Sequence, residues 1–318
     1  SNIQGNNPVA IAASVSSPIL PTRCVGLCRS EMQILGSSVA HQFKKYLARA
    51  ISSVEPEPIP EKIKVHLQNC LAELLAASKG EITNYRLIDA DVTEVLFGQY
   101  GGVSELDFDI EPSPNLHDTI RGPRWALATG FYDWQLWMAI SSAVAAAREG
   151  QVDMIITLPS AFSLAEVRAV RAMFDRHLGQ HPEARSLVRF GVMLETPRLC
   201  ASPSPLAEIA DVFSFGLNDL TSAAYGLGRD AWATLDRYYT AAGLEEQDPF
   251  ANLDRIGVGA LVSRTLQKLI DVGVKGPFFL CGEPAASSAA HNQFAGQGNL
   301  FFSDAESDWA RASMSCGR

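Results

Sequence analysis

Short apolar runs that close on a charged or polar residue recur along the 318-residue chain, with helix-patterned stretches in most of the gaps. They fall at residues 9–14, 24–28, 82–89, about 116–121 and 154–158, in runs ending at Glu195 and at Asp219, and at 277–281. Eight strands alternating with helices is the count of a closed barrel, whereas an open doubly wound sheet uses fewer. The expected fold class is therefore α/β, a (β/α)8 TIM barrel in a single domain over residues 1–318. Ser1-Asn2, with no leading Met, reads as a cloning scar.

The intervening helices carry their own signals. Residues 62–78 put Ile63, Leu67, Cys70, Leu71 and Leu74 on one face, with Gly80 placed to end the helix. A long helix is expected from Trp134 to Arg148. Ser163 and Glu166 form a capping-box pattern that opens a helix with Leu164, Val167, Val170 and Phe174 inward. Residues 257–272 align Val258, Leu261, Val262, Leu266 and Leu269 in a stripe.

Composition narrows the function. With a net charge of −9, neither nucleic acid nor an anionic membrane is expected as the main partner, though a local arginine cluster can still hold a small anion. The most apolar long stretch, Phe131 to Ala147, contains Asp133 and Gln135 and is too short and mixed for a bilayer span. Six cysteines are too sparse for a disulfide scaffold, and the Cys24/Cys28 pair has no second half for zinc. A cytoplasmic protein with reduced thiols is expected. No dinucleotide fingerprint or Walker loop occurs.

Polar residues gather where the apolar runs end, which is where a barrel builds its active site. Arg29, Arg86, Arg121, Glu195, Asn218, Asp219 and Cys281 all lie at or just beyond expected strand ends. Taken singly, each has a bland explanation: Asn-Asp caps helices, lone arginines snorkel, and free cysteines pack as small hydrophobes. Together they suit an anionic substrate held through a divalent cation. Arginine forks match phosphate and carboxylate oxygens, and two carboxylates leave most of a Mg²⁺ octahedron open to substrate and water.

Six segments in order, GLCRSE (26–31), YRLID (85–89), RGPR (121–124), MLETP (193–197), FSFGLNDLT (213–221) and CGE (281–283), resemble the C-terminal pyruvate/phosphoenolpyruvate-binding barrel of the PEP-utilising enzymes. That family includes PEP synthase, pyruvate phosphate dikinase and enzyme I of the sugar phosphotransferase system. Arg229 follows Asp219 at the family's spacing, and the closing stretch from Gln297 to Asp304, then Asp308-Trp309, is most similar to PEP synthase.

The resemblance implies reversible phosphoryl transfer between a phosphohistidine and the enol oxygen of pyruvate. It implies that Glu195 and Asp219 hold Mg²⁺, that Arg29, Arg86, Arg121 and Arg229 clamp phosphoryl oxygens, and that Asn218 holds substrate. Cys281 would move a proton at the methyl carbon. A homodimer is also implied. None of His41, His66, His117, His177, His181 and His291 lies in a Thr-x-His-type loop, so the phosphohistidine domain is expected in cis or in trans.

The chain departs from the family pattern at Leu217, at Pro284-Ala285-Ala286-Ser287 and in the lead-in from Asn115 to Ile120. Two alternatives therefore stand beside the phosphotransferase reading: a Mg²⁺-dependent enolate lyase or aldolase on the same barrel, and a non-catalytic PEP/pyruvate-binding module.

Overall fold

The computed structural model describes residues 9–12, 25–53, 55–97, 120–244, 247–297 and 299–305. Eight strands follow in chain order: β1 (Val9–Ala12), β2 (Val25–Arg29), β3 (Ile82–Arg86), β4 (Asp153–Leu158), β5 (Val188–Leu194), β6 (Val212–Gly216), β7 (Phe278–Cys281) and β8 (Leu300–Ala305). The strand order is that of a closed barrel, β1 to β8 in sequence with β8 returning to β1 in parallel. The α/β barrel class read from the sequence is thus the fold of the chain.

One expected strand falls mostly outside the described residues, and one observed strand was not expected. The former is the fourth, placed at 116–121, whose described end, Arg121, makes only an isolated antiparallel bridge to Asp91. The expected run at 277–281 is β7, and the strand not expected from the sequence is β8, Leu300–Ala305. Its Leu-Phe-Phe run is too short for periodicity to separate it from a turn.

The chain divides into two compact units, one of Ala13–Ser160 with Ala165–Phe190, the other of Ser1–Ala12, Ala161–Leu164 and Gly191–Arg318. In the first, β2, β3 and β4 pair in parallel, with Arg29 opposite Arg86. The helix Glu61–Ser78 buries Ile63, Leu67, Leu71 and Leu74, the face expected of it. It ends where Lys79 and Gly80 adopt φ of 50° and 85°. A helix over Phe131–Ala146 and another over Ala40–Ser52 enclose an aromatic cluster of Phe43, Tyr46, Trp125 and Phe131.

In the second unit β5 to β8 pair in parallel and in register, so that Leu194 meets Phe215, Gly216 meets Cys281 and Cys281 meets Ser303. The helix Val258–Asp271 buries Val258, Val262, Leu266 and Leu269. Its Thr265 hydroxyl donates to the Cys200 carbonyl at 2.9 Å, which docks the helix on the short turn Pro197–Ala201 that follows Glu195. Among the described residues no helix is long and apolar enough to cross a membrane. Cys28, Cys70, Cys200 and Cys281 form no disulfide, and Cys24 lies outside the described residues.

Candidate active site at the strand ends

Within the first unit, the expected arginines are threaded on two acids. Arg29, the last residue of β2, donates from Nε to Glu31 Oε1 at 2.9 Å. Arg86, the last residue of β3, donates to the same Glu31 oxygen and lies 3.5 Å from Asp89 Oδ2. Arg121 in turn grips both oxygens of Asp89, with Nε at 3.2 Å from Oδ1. The result is one line of alternating charge, Arg29, Glu31, Arg86, Asp89, Arg121, with a net excess of one positive charge.

Burial makes this line strong. The Asp89 side chain has no exposed surface, and that of Glu31 is 5% exposed. Burial pushes the Glu31 carboxyl up, but the Arg86 and Arg29 guanidiniums pull it further down and hold it at about 2. Ion pairs shielded from solvent are screened far less than surface ones. At the outer end, Arg29 keeps half of its side chain exposed and is the arginine of this line most open to an anion.

Local chain conformation supports the line. Gly122 has φ of +55°, and a Cβ there would stand 2.8 Å from Asp89 Oδ1 and 3.3 Å from the Ser160 Cβ. Glycine at this point lets the Arg121 backbone close over the acid. Gln135, fully buried on the helix Phe131–Ala146, donates to Ser30 Oγ at 3.0 Å and to the Tyr85 hydroxyl at 3.1 Å. Its Oε1 accepts from the Ile88 amide at 3.0 Å, so one side chain ties the end of β3 to the start of the helix Ser30–Leu35.

In the second unit, the expected residues fall on adjacent strand ends. Glu195 follows β5 directly and is buried. It lies against Gly216, where a Cβ would be 2.4 Å from its Oε2 and 2.6 Å from its Cβ. Only a residue without a side chain admits the carboxylate there. Asn218 and Asp219 do not extend β6; they form the first turn of the helix Leu217–Tyr225, where an acid also suits the helix dipole. Asn218 packs on Gly282, which has φ of +110° and where a Cβ would sit 2.9 Å from the amide oxygen. That oxygen is buried and has no hydrogen-bond partner among the described residues.

Cys281 ends β7 and is 3% exposed. Since Leu194 pairs with Phe215 and Gly216 with Cys281, the residues Glu195, Gly216 and Cys281 form one row across three strands. Two strand spacings separate Glu195 from Cys281, about 10 Å between backbones. Arg229 donates from Nη1 to Glu283 Oε1 at 2.8 Å, both groups being half exposed. An exposed pair of this kind is weak and can open to another anion.

Two of the family departures have local explanations, and the third, Asn115 to Ile120, lies mostly outside the described residues. Leu217 is fully buried. Residues Glu283–Ala286 form a tight turn, and Ser287 then caps the helix Ser288–Phe294 by accepting from the Ala290 amide. Sequence reasoning missed Glu31, Asp89 and Gln135 as parts of the site. The signal for the two acids was their spacing, two and three residues after Arg29 and Arg86 within the same short motifs. Gln135 carried none, because nothing in a helical repeat says which polar residue faces inward.

Residues 7–313 match the family model described as PEP-utilising enzyme, PEP-binding domain. Among curated proteins, the pyruvate, phosphate dikinase of Giardia intestinalis is 25% identical over 277 residues, covering 81% of this chain and 31% of that protein. The pyruvate, phosphate dikinase of Rickettsia prowazekii is 33% identical over 143 residues, 44% of this chain and 16% of its own length. That of Clostridium symbiosum reaches 48% identity over 79 residues, 24% of this chain and 9% of its own. The chain spans less than a third of the length of these relatives.

Proposed function

The chain belongs to the PEP-utilising enzymes, matching their PEP-binding domain, and on that premise we propose that it carries out the pyruvate/phosphoenolpyruvate half of a phosphoryl transfer whose other half uses a phosphohistidine. The observation that carries this reading is the row of Glu195, Gly216 and Cys281, in which a glycine admits the carboxylate and a thiol stands in line with it.

In this account Arg29, Arg86 and Arg121 bind the phosphoryl oxygens. Glu31 and Asp89 fix their forks before substrate arrives, so little side-chain entropy remains to be lost on binding. Arg229 also binds phosphoryl oxygen by giving up its exposed partner Glu283. Phosphoryl transfer depends on such positioning and charge neutralisation more than on covalent help. Asn218, whose amide oxygen lacks a protein partner among the described residues, orients the substrate.

Glu195 and Asp219 are the residues to hold Mg²⁺. Both are hard oxygen donors, and the absence of a side chain at Gly216 leaves room for the Glu195 carboxylate at its strand end. A carboxylate pair of this kind fits a cation that keeps most of its coordination for substrate and water. When bound, Mg²⁺ would supply Lewis-acid stabilisation to the enolate oxygen. Cys281 takes the proton from the methyl carbon of pyruvate as the enolate forms and returns it in the reverse direction.

The reaction requires a phosphohistidine domain in cis or in trans, and the family resemblance favours a homodimer. Exchange of pyruvate methyl hydrogens with D₂O tests the reading. With Mg²⁺ present, exchange by the wild-type protein and its loss in Cys281→Ala are expected. Binding of pyruvate with no exchange would leave a non-catalytic module, and cleavage of a larger oxo acid would point to a lyase.

A further inference from the structure

The row of Glu195, Gly216 and Cys281 has a fourth member, Ser303 of β8. Phe279 of β7 and Phe301 of β8 are register partners, and their rings stack at 5.2 Å between centroids. They therefore project from the same face of the sheet. Phe302, the next residue along β8 and so on the opposite face, stacks instead on His291 of the helix Ser288–Phe294 at 4.3 Å. Side chains alternate along a strand, so Cys281 and Ser303, two residues beyond Phe279 and Phe301, return to the first face. They too are register partners.

Neighbouring strands lie about 4.8 Å apart, which brings a Cys Sγ and a Ser Oγ on facing positions within reach of a hydrogen bond after rotation about χ1. Ser303 is 3% exposed, and its hydroxyl has no hydrogen-bond partner among the described residues. A buried hydroxyl left unsatisfied is costly, and an alanine would pack there without that cost. A hydroxyl in this place is accounted for if it is satisfied when the adjacent thiol turns toward it.

We propose that Ser303 is a positioning residue for Cys281, its hydroxyl holding the sulfur in the orientation that meets the methyl carbon of pyruvate. The inference rests on the reading of Cys281 given above. As the C–H bond breaks, its electron pair passes to the enolate and the proton forms the S–H bond. Ser303 donates to the sulfur while it is a thiolate and accepts from it once it is a thiol. The hydroxyl keeps its own proton throughout.

The test compares wild type, Ser303→Ala, Ser303→Thr and Cys281→Ala in pyruvate hydrogen exchange with Mg²⁺, and follows alkylation of Cys281 by iodoacetamide against pH by mass spectrometry. In Ser303→Ala the exchange kcat is expected to fall about tenfold, the effect of one lost hydrogen bond, with KM for pyruvate nearly unchanged. The midpoint of Cys281 alkylation is expected to move to higher pH, and Ser303→Thr to restore both. An unchanged kcat together with an unchanged alkylation profile overturns the role of Ser303 while leaving that of Cys281 intact. A wild-type protein that exchanges no hydrogen overturns both.

Discussion

Arg86 stands between two buried acids and shows how much a single side chain carries here. Because Glu31 is held at about 2, below its ordinary value of 4.5, its ion pairs stabilise the fold fully above pH 4.5 and are lost as pH falls toward 2. That difference is worth roughly 3 kcal/mol. Glu31→Gln is expected to lower stability near neutrality and to flatten its pH dependence between 4.5 and 2, measured by urea unfolding across that range. An unaltered slope in the variant would separate Glu31 from acid stability. Gly216→Ala acts differently, since its new Cβ would fall 2.6 Å from that of Glu195. We expect a loss of about 1–3 kcal/mol from overpacking and a larger loss of Mg²⁺-dependent ligand binding. Wild-type ligand affinity in this variant would contradict the place assigned to Glu195.

At the scale of elements, the helix Phe131–Ala146 is joined to β3 and to the helix Ser30–Leu35 through Gln135. Gln135→Ala leaves the Ile88 amide without this acceptor, and a cost of roughly 2–3 kcal/mol in chemical denaturation is expected. A change under about 0.5 kcal/mol would show that water replaces the amide without penalty. Much of this level was legible beforehand. The runs at 82–89, 154–158 and 277–281 became β3, β4 and β7 with small changes at their ends, and the helices at 62–78 and 257–272 bury the faces their periodicity marked. The apolar pattern records burial directly, which is why it could be read. Residues 300–305 escaped because three apolar residues followed by Ser-Asp look like a loop margin until β7 and β1 are seen to flank them. The run expected before Arg121 lies mostly outside the described residues.

For the whole molecule, charge-bearing residues at strand ends were recognisable from the sequence, but their pairing was not. Arg29, Arg86, Glu195 and Cys281 could each be placed at the end of an apolar run. That Glu31 and Asp89 thread the arginines was only hinted at by their spacing, because the Glu31–Arg86 contact is made across the pairing of β2 with β3. Glycines 216 and 282 were likewise visible only as letters, and their meaning lies in the Glu195 and Asn218 atoms that rest on them. On the proposed reading, turnover uses a phosphohistidine domain in cis or in trans. Phosphorylation of such a domain by PEP, followed with labelled PEP, should require this chain and should fail with Arg86→Ala; transfer that proceeds undiminished in the variant would remove the arginine line from the reaction.

The most direct measurement is calorimetric titration of the protein with PEP, with and without Mg²⁺, in wild type and in Glu195→Gln. The expected result is that Mg²⁺ tightens PEP binding at least about tenfold in wild type, about 1.4 kcal/mol, and has no effect in the variant. Equal affinity with and without Mg²⁺ in wild type, or an undiminished Mg²⁺ effect in Glu195→Gln, would contradict a carboxylate-held cation as the centre of this site.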